Sequence, residues 1–326
     1  MENPAKVKYF NLFDYISKIK IDTSVLEHME EINNKFDNYM KKISSYNSND
    51  IVHLWLIQAA EELVNSSKIE SHYVDRKELL KKNLFFDTLD ISHQRIHDIH
   101  NFVLPEKQAL DYRETPVHVS YFDKQGDEHI YWHGAEPEDV KQFMEDFINV
   151  YKSSDLSVIN SNPFLKSALI KLLFIRIHPY RDGNGRTSRV LYSIKFTESM
   201  NKLYDSNFKI CPLNISASIL LNQPTYVNIL DNIYFDLEHD NNEVINKWFH
   251  FMLNMSDEQL FYLGNKLKDL DLTYNNFLKH DVETSIALLD LLVDSYGIDI
   301  LGNKTSEVND EDVKIYTFKR DEKKGF

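Results

Sequence analysis

Twelve consecutive residues of this chain carry an unusual set of side chains: His178-Pro179-Tyr180-Arg181-Asp182-Gly183-Asn184-Gly185-Arg186-Thr187-Ser188-Arg189. Their types and spacing suit phosphate chemistry. Gly183 and Gly185 let backbone N–H groups approach a ligand closely and reach positive φ. A helix that starts here adds unpaired N–H donors and a partial positive charge, so Gly183-Asn184-Gly185 reads as an anion cradle. Arg186 and Arg189 are three apart and share a helix face beside it. Two converging guanidinium groups suit a polyphosphate. Asp182 is a hard carboxylate of the kind Mg2+ takes together with phosphate oxygens. His178 ends the preceding helix and is a natural general base for a hydroxyl nucleophile. The bland alternative is a tight interhelical turn with surface arginines and a capping aspartate. A bare Gly-x-Gly would favour that alternative; this combination favours the functional one.

Several elements must position this loop. Phe164 to Ile177 is apolar on nearly all sides, with Lys166, Lys171 and Arg176 its charged residues. It is too short to span a membrane, which takes about 18 apolar residues or more, so it reads as a central buried helix. Asn162-Pro163 supplies its cap and first residue. After the loop the chain returns to helix through Phe196. Upstream, Val117, Val119 and Tyr121 alternate with polar residues, Asp123 to Gly126 form a turn, and His129-Ile130-Tyr131-Trp132 is rich in β-formers, which together predict a hairpin. Pro137 begins a helix with Val140, Phe143, Met144, Phe147 and Ile148 on one face. A further helix is predicted from Ile51 to Ile69, with Trp55, Leu56, Ala60 and Val64 on its apolar stripe, and another from Ile91 to Val103, ending before Pro105. His93, His97 and His100 lie on one face of that second helix. They have the spacing of metal ligands, but no further pattern and no Cys supports such a site, and a structural or surface role is preferred. Roughly the first 45 residues show weak helical periodicity. Helices are also predicted at 242–255, 257–272 and 281–296, followed by a short strand at 313–318 and a charged tail.

Composition sets the frame. The chain has 326 residues, 42% of them apolar, with 8 glycines and 8 prolines. A chain so poor in Gly and Pro reads as mainly α. Its length divides naturally into 1–89, a helical N-terminal region; 90–235, the core with hairpin and loop; and 236–326, a mostly helical C-terminal lobe. The net charge of −14 argues against nucleic acid as a partner, since phosphate contacts need clustered cations. The single cysteine, Cys211, excludes an internal disulfide and reads as a small buried apolar residue. The start, Met1-Glu2-Asn3-Pro4, has no signal-peptide pattern and no stretch suits a membrane span, so a cytoplasmic location is expected.

The loop at 178–189 resembles the Fic motif, His-x-Phe-x-Asp/Glu-Gly-Asn-Gly-Arg-x-x-Arg, with Tyr180 in place of Phe. Tyr112-Arg113, the hairpin and the 163–177 helix resemble the elements around that motif, over about residues 90–235. The resemblance implies a mainly α, Fic-type helical bundle with a small β-hairpin flap. It implies a protein adenylyltransferase that moves AMP from ATP, with Mg2+, to a Ser, Thr or Tyr hydroxyl of a target protein or of itself. His178 would be the base and Asp182 the metal ligand. Gly183, Asn184 and Gly185 would form the anion hole, with Asn184 on the α-phosphate, and Arg186 and Arg189 would bind the outer phosphates. Gly185 places the chain with nucleotidyl-transferring relatives, since a phosphorylating one has Lys there. The flap, His129-Ile130-Tyr131-Trp132, would dock an extended target segment by strand addition. Tyr226 matches the first of a Tyr-Tyr pair that many relatives carry near the adenine, and Val227 replaces the second. The family often forms homodimers.

Ser66-x-x-x-Glu70 also resembles a family motif, the inhibitory Ser/Thr-x-x-x-Glu-Gly/Asn, with Ser71 at the last position. Its place N-terminal to the core is that of the class inhibited from within its own chain. Glu70 would pair with Arg189 and deny it to ATP. Read by spacing alone, Ser66 and Glu70 are ordinary residues near a helix end, where a carboxylate is mildly unfavourable. Two other functions compete: removal of AMP from a modified target, with Glu70 orienting water, and a non-catalytic Fic scaffold or toxin–antitoxin type regulator. The intact loop argues against the scaffold.

Overall fold

The computed structural model describes residues 7–277, apart from 47, 73, 75–88, 108, 123–127, 154–158 and 160–161. Helices α1 (Leu12–Ser17), α2 (Thr23–Ile43), α3 (Ser48–Ile69) and α4 (His93–Val103) precede a hairpin of β1 (His118–Phe122) and β2 (Glu128–His133). Then follow α5 (Val140–Lys152), α6 (Pro163–Ile177), α7 (Asn184–Tyr204), α8 (Ile215–Leu221), α9 (Gln223–Asp231) and α10 (Asn242–Phe277). The predicted hairpin and the helices around the loop are therefore present.

Helix α6 is the axis of the fold, and every one of its residues is buried. Its start is written locally: the Asn162 side chain accepts from the N–H groups of Phe164 and Leu165 at 2.9 and 3.0 Å, and Pro163 needs no partner at the first position. Around it pack α5, α7 and α10. One apolar core runs from Val7 to Leu267, and each large side chain buried there contributes roughly 1.5–3 kcal/mol. The three cations of α6 are reconciled with burial by specific acceptors. Lys166 donates to the Val150 carbonyl at 2.8 Å, beside Lys195, which donates to that of Tyr151 at 2.8 Å. Together they cap the C-terminus of α5, where a helix leaves carbonyls unpaired and negative. Arg176 donates to the Leu230 carbonyl at 3.3 Å and lies 4.5 Å over the Trp132 ring.

β1 and β2 pair antiparallel, with a register shift between Val119 and Ser120 that leaves Tyr131 without an opposite residue. Pro137 opens a 3-10 turn that leads into α5. Two expectations are corrected. The predicted helices at 242–255 and 257–272 are one continuous helix, α10. No Gly or Pro interrupts the junction, and Ser256 is fully buried with its hydroxyl donating back to the Met252 carbonyl at 2.9 Å. Helix α7 runs past Phe196 to Tyr204 and stops at Asp205, which takes φ 46°. The predicted turn at 123–126, the helix at 281–296, the strand at 313–318 and the charged tail lie outside the described residues. Among the described residues no helix is long and apolar enough to cross a membrane.

Candidate active site

His178 closes α6 in the left-handed conformation, φ 54°, ψ 60°. A residue there ends a helix and turns its side chain off the helical path. Its Nδ1 lies 3.2 Å from the Ile175 carbonyl. A carbonyl can only accept, so Nδ1 carries the proton and Nε2 keeps a lone pair. The residue keeps a solvent-facing edge, yet the packing around its ring is dense. Loss of hydration pushes its pKa down to about 4; the Ile175 carbonyl and Glu70 oppose that shift, while Arg113 and Arg176 add to it. The ring is a neutral base with one free nitrogen.

The next turn is held from beneath. Asn184 accepts from the Tyr180 N–H at 3.0 Å and donates to the Tyr180 carbonyl at 2.8 Å. The Asn184 side chain is thus tied to the loop, and its backbone N–H, the first of α7, has no intrahelical partner. Of the histidines weighed as metal ligands, His97 and His100 face this loop instead, while His93 bonds the Tyr112 hydroxyl at 2.8 Å and the Glu145 carboxylate at 2.9 Å. His100 stacks on Tyr180 with ring centres 4.0 Å apart and donates from Nε2 to the Asp182 carbonyl at 3.0 Å. His97 shares a 2.7 Å hydrogen bond with the Tyr180 hydroxyl, a bond that Phe at this position could not make. Gly183 takes φ 79°, and a Cβ there would stand 3.1 Å from both His100 and Leu104. Its N–H is bonded to the Asp182 carboxylate at 2.6 Å. Beyond it the first N–H groups of α7 have no intrahelical partner, as at any helix start.

The structure brings Ser66, Glu70, Gly185, Arg186 and Arg189 together on the open side of this turn. Arg189 is 1% exposed. It donates from Nε to the Ser66 hydroxyl at 2.7 Å and from Nη2 to the Ser66 carbonyl and to Glu70, each at 2.9 Å. Glu70 also presses on Gly185, where any Cβ would collide with its carboxylate. Arg186 is 3% exposed, and its Nε and Nη2 have no hydrogen-bond partner among the described residues; the Asp182 carboxylate stands 3.5 Å from Nη2. Arg186 lines a cavity of about 160 Å3 with Ser66, Ser67, His72 and Glu106.

The end of α3 explains how Glu70 is presented. Ser71 has φ 57°, with its N–H bonded to the Lys68 carbonyl and that of His72 to the Ser67 carbonyl, both at 2.9 Å. These are the paired bonds of a Schellman termination, a site that favours Gly. Ser71→Gly removes the left-handed penalty and should raise the unfolding free energy by about 1 kcal/mol. A denaturant midpoint that stays put or falls would contradict this account of the turn.

Two expected ligand contacts sit differently. Tyr226 is buried, and its hydroxyl receives a 2.7 Å hydrogen bond from Lys171, itself fully buried. Its ring packs against Trp248 and Phe251, so it supports the Arg189 wall from behind and presents no face to a base. Loss of hydration holds the Lys171 amine well below its ordinary pKa, and nearby Arg189 adds to this. In the flap, Trp132 turns inward, 6% exposed, with its ring centre 5.1 Å from that of His178 at a steep interplanar angle and Arg176 over its face. Ile130 is half-buried. The side chains of His129 and Tyr131 lie outside the described residues. Lys171 was not legible as part of the site because a lone Lys on an apolar helix has no sequence signal. Of the structural or surface role preferred for the histidines, His97 and His100 have the first and the partly exposed His93 the second.

Comparison with known proteins now adds to this geometry. Residues 88–194 match the family model described as Fic/DOC family. Over 99 residues, 29% of this chain, the sequence is 34% identical to the protein adenylyltransferase Fic of Nematostella vectensis, and the match spans 20% of that relative's length. A Fic family protein from Desulfovibrio desulfuricans G20 shares the fold with a TM-score of 0.52 at 15% identity, over 92% of this chain and 85% of that one. A Fic domain containing signaling protein from Bacteroides thetaiotaomicron VPI-5482 does so with a TM-score of 0.50 at 17% identity, over 72% and 95% respectively.

Proposed function

We propose that the Fic domain carried by this chain transfers AMP from ATP to a hydroxyl of a target protein and is held inactive at rest by Glu70. One observation carries this reading. Two buried arginines flank a helix-start anion cradle; one is occupied by Ser66 and Glu70, and the other has unpartnered donors. Arg186 has the Val103 carbonyl and the Asp182 carboxylate, each at 3.5 Å; buried donors left over are costly unless a ligand supplies acceptors, and a polyphosphate does.

In the proposed reaction, His178 Nε2 takes the proton of the target hydroxyl. The freed oxygen attacks the α-phosphorus of ATP, a bond to oxygen forms, and pyrophosphate leaves. The backbone N–H groups at the start of α7 face the charge that develops on the α-phosphate oxygens. Arg186, and Arg189 once Glu70 releases it, hold the departing phosphates. Asp182 would hold Mg2+; its side chain is 40% exposed beside the cradle. No group of three metal-ligating side chains occurs among the described residues, so phosphate oxygens and water would complete the coordination, as Mg2+ commonly accepts. That ion would offset phosphate charge. Self-modification gives a convenient first acceptor.

ATP labelled at the α- or the γ-phosphate tests the reading. The Glu70→Gly variant should take up the α-label and release the γ-label as pyrophosphate. Uptake of the γ-label would overturn it in favour of phosphate transfer. The contact of Glu70 with the cradle at Gly185 also favours a second reading, in which this carboxylate orients water for AMP removal. Wild type, and not Glu70→Gly, would then release AMP from a modified protein.

The depressed pKa of His178 has a kinetic consequence. The base stays neutral until pH falls through about 4, so kcat of the released enzyme should be flat from about pH 8 down to about pH 5. An acid limb at the ordinary imidazole value, about 6.5, would contradict the packed environment of the ring.

A further inference from the structure

Arg113 lies 5% exposed in the segment before the flap, where the Glu136 carboxylate favours its charge. Its hydrogen-bond donors go to four backbone carbonyls. Nε donates to His178 at 2.7 Å, Nη1 to Thr115 at 2.8 Å, and Nη2 to Ala135 and, at 3.5 Å, to Ile177. These acceptors come from three places: the segment entering the flap, the segment leaving it, and the end of α6. Backbone bonds tie the same places together. The Arg113 N–H donates to the Pro179 carbonyl at 2.9 Å, that of Ala135 to Ile177 at 3.2 Å, and that of Gly134 to Val117 at 3.1 Å.

We infer that Arg113 is a positioning residue for the proposed transfer: its guanidinium clamps the His178 turn to both ends of the flap, so that a segment docked on the flap meets the base at a fixed distance. The inference rests on the reading of His178 as the base. Geometry supports it in three ways. His178 stands in a left-handed conformation, which is costly for an ordinary residue and persists where its surroundings determine it. The carbonyl of that residue is the one the Arg113 Nε grips. The planar fork of an arginine spreads five donors over three nitrogens and so spans acceptors that lie apart, whereas the three donors of a lysine sit on one nitrogen. Even with its pKa lowered to about 10 by burial, Arg113 remains a cation near neutral pH. The charged groups facing His178 are Arg113 from the segment before β1, Arg176 from α6 and Glu70 from the end of α3.

Charge and geometry can be separated with two variants in the Glu70→Gly background. Arg113→Lys keeps the charge and loses the fork. Its kcat should fall roughly 10- to 100-fold, as expected for a misplacement of about 1 Å, with KM for ATP within about twofold and the acid limb of kcat where the parent has it. Arg113→Met loses both, so kcat should fall and the acid limb should move to higher pH. Melting temperatures identify any variant that fails to fold; should the Met variant fail, the Lys variant decides. NMR titration of the His178 ring gives a readout independent of transfer: the midpoint should rise in Arg113→Met and stay in Arg113→Lys. A parental kcat in Arg113→Lys, or a loss through KM for ATP, overturns the inference, as does an unmoved titration in a folded Arg113→Met. A silent Glu70→Gly parent in which the ring titration still responds overturns the transferase reading and leaves the clamp standing.

Discussion

Replacing His178 in a Glu70→Gly background should lower AMP transfer by roughly 10^2–10^4-fold, the usual contribution of a positioned general base, with ATP affinity within about twofold. The argument for a loss in kcat alone is geometric. The ring is held by the Ile175 carbonyl and the edge of Trp132. The cradle is held by other groups: the Asn184 side chain on Tyr180, and His100 on Asp182. Removing the imidazole therefore leaves the phosphate donors in place. His178→Asn is the better variant, because Asn tolerates the left-handed conformation of this position more readily than Ala. Transfer rates and ATP titrations on the same preparations check the prediction. A loss of ATP affinity would make His178 part of the nucleotide site instead of the base.

The second large effect is the release itself. Glu70→Gly should raise transfer roughly 10- to 30-fold over wild type. A hydrogen bond to a charged group contributes about 1.5–3 kcal/mol, and the Glu70 side chain is 38% exposed, which moves the value toward the lower end. Ser66 limits the gain, because its hydroxyl and carbonyl keep two bonds to Arg189 after Glu70 is gone. The same substitution should lower thermal stability, since it takes an acceptor from a buried guanidinium. Added Mg-ATP should restore stability in the variant more than in wild type, because binding adds to the folded state alone. Equal ATP stabilisation of the two proteins would mean that Glu70 does not compete for Arg189.

How much of this could be read beforehand follows from where each signal lies. The loop was legible because its residues are consecutive and each has a chemical reason to be there. The juxtaposition of Ser66, Glu70 and Arg189 was legible from a motif resemblance; the four-residue spacing showed a shared face and no partner. Contacts that depend on distant segments were not. One local contact was missed too: Asn184 binds Tyr180 within the loop, and no spacing rule separates that from binding a phosphate. Trp132 carries the same β-forming signal whether it faces a target or the Arg176 guanidinium. Tyr226 matches an adenine-side position, yet its burial is set by Trp248 and Phe251 of α10. The histidine stripe of α4 was visible as a stripe, but its partner, the Tyr180 hydroxyl, lies 83 positions away. The break placed between 255 and 257 was an error of the opposite kind: a polar pair read as a boundary, where burial of Ser256 carries the helix through.

The central claim is that the turn at 178–189 transfers AMP once Glu70 lets go of Arg189. Intact-protein mass spectrometry after incubation with Mg-ATP tests it most directly, on wild type, Glu70→Gly and Glu70→Gly/His178→Asn side by side. The account predicts a mass gain of whole AMP units on Glu70→Gly, little on wild type and none on the double variant. An unmodified Glu70→Gly protein that nonetheless binds ATP, or one that gains phosphate alone, would contradict it.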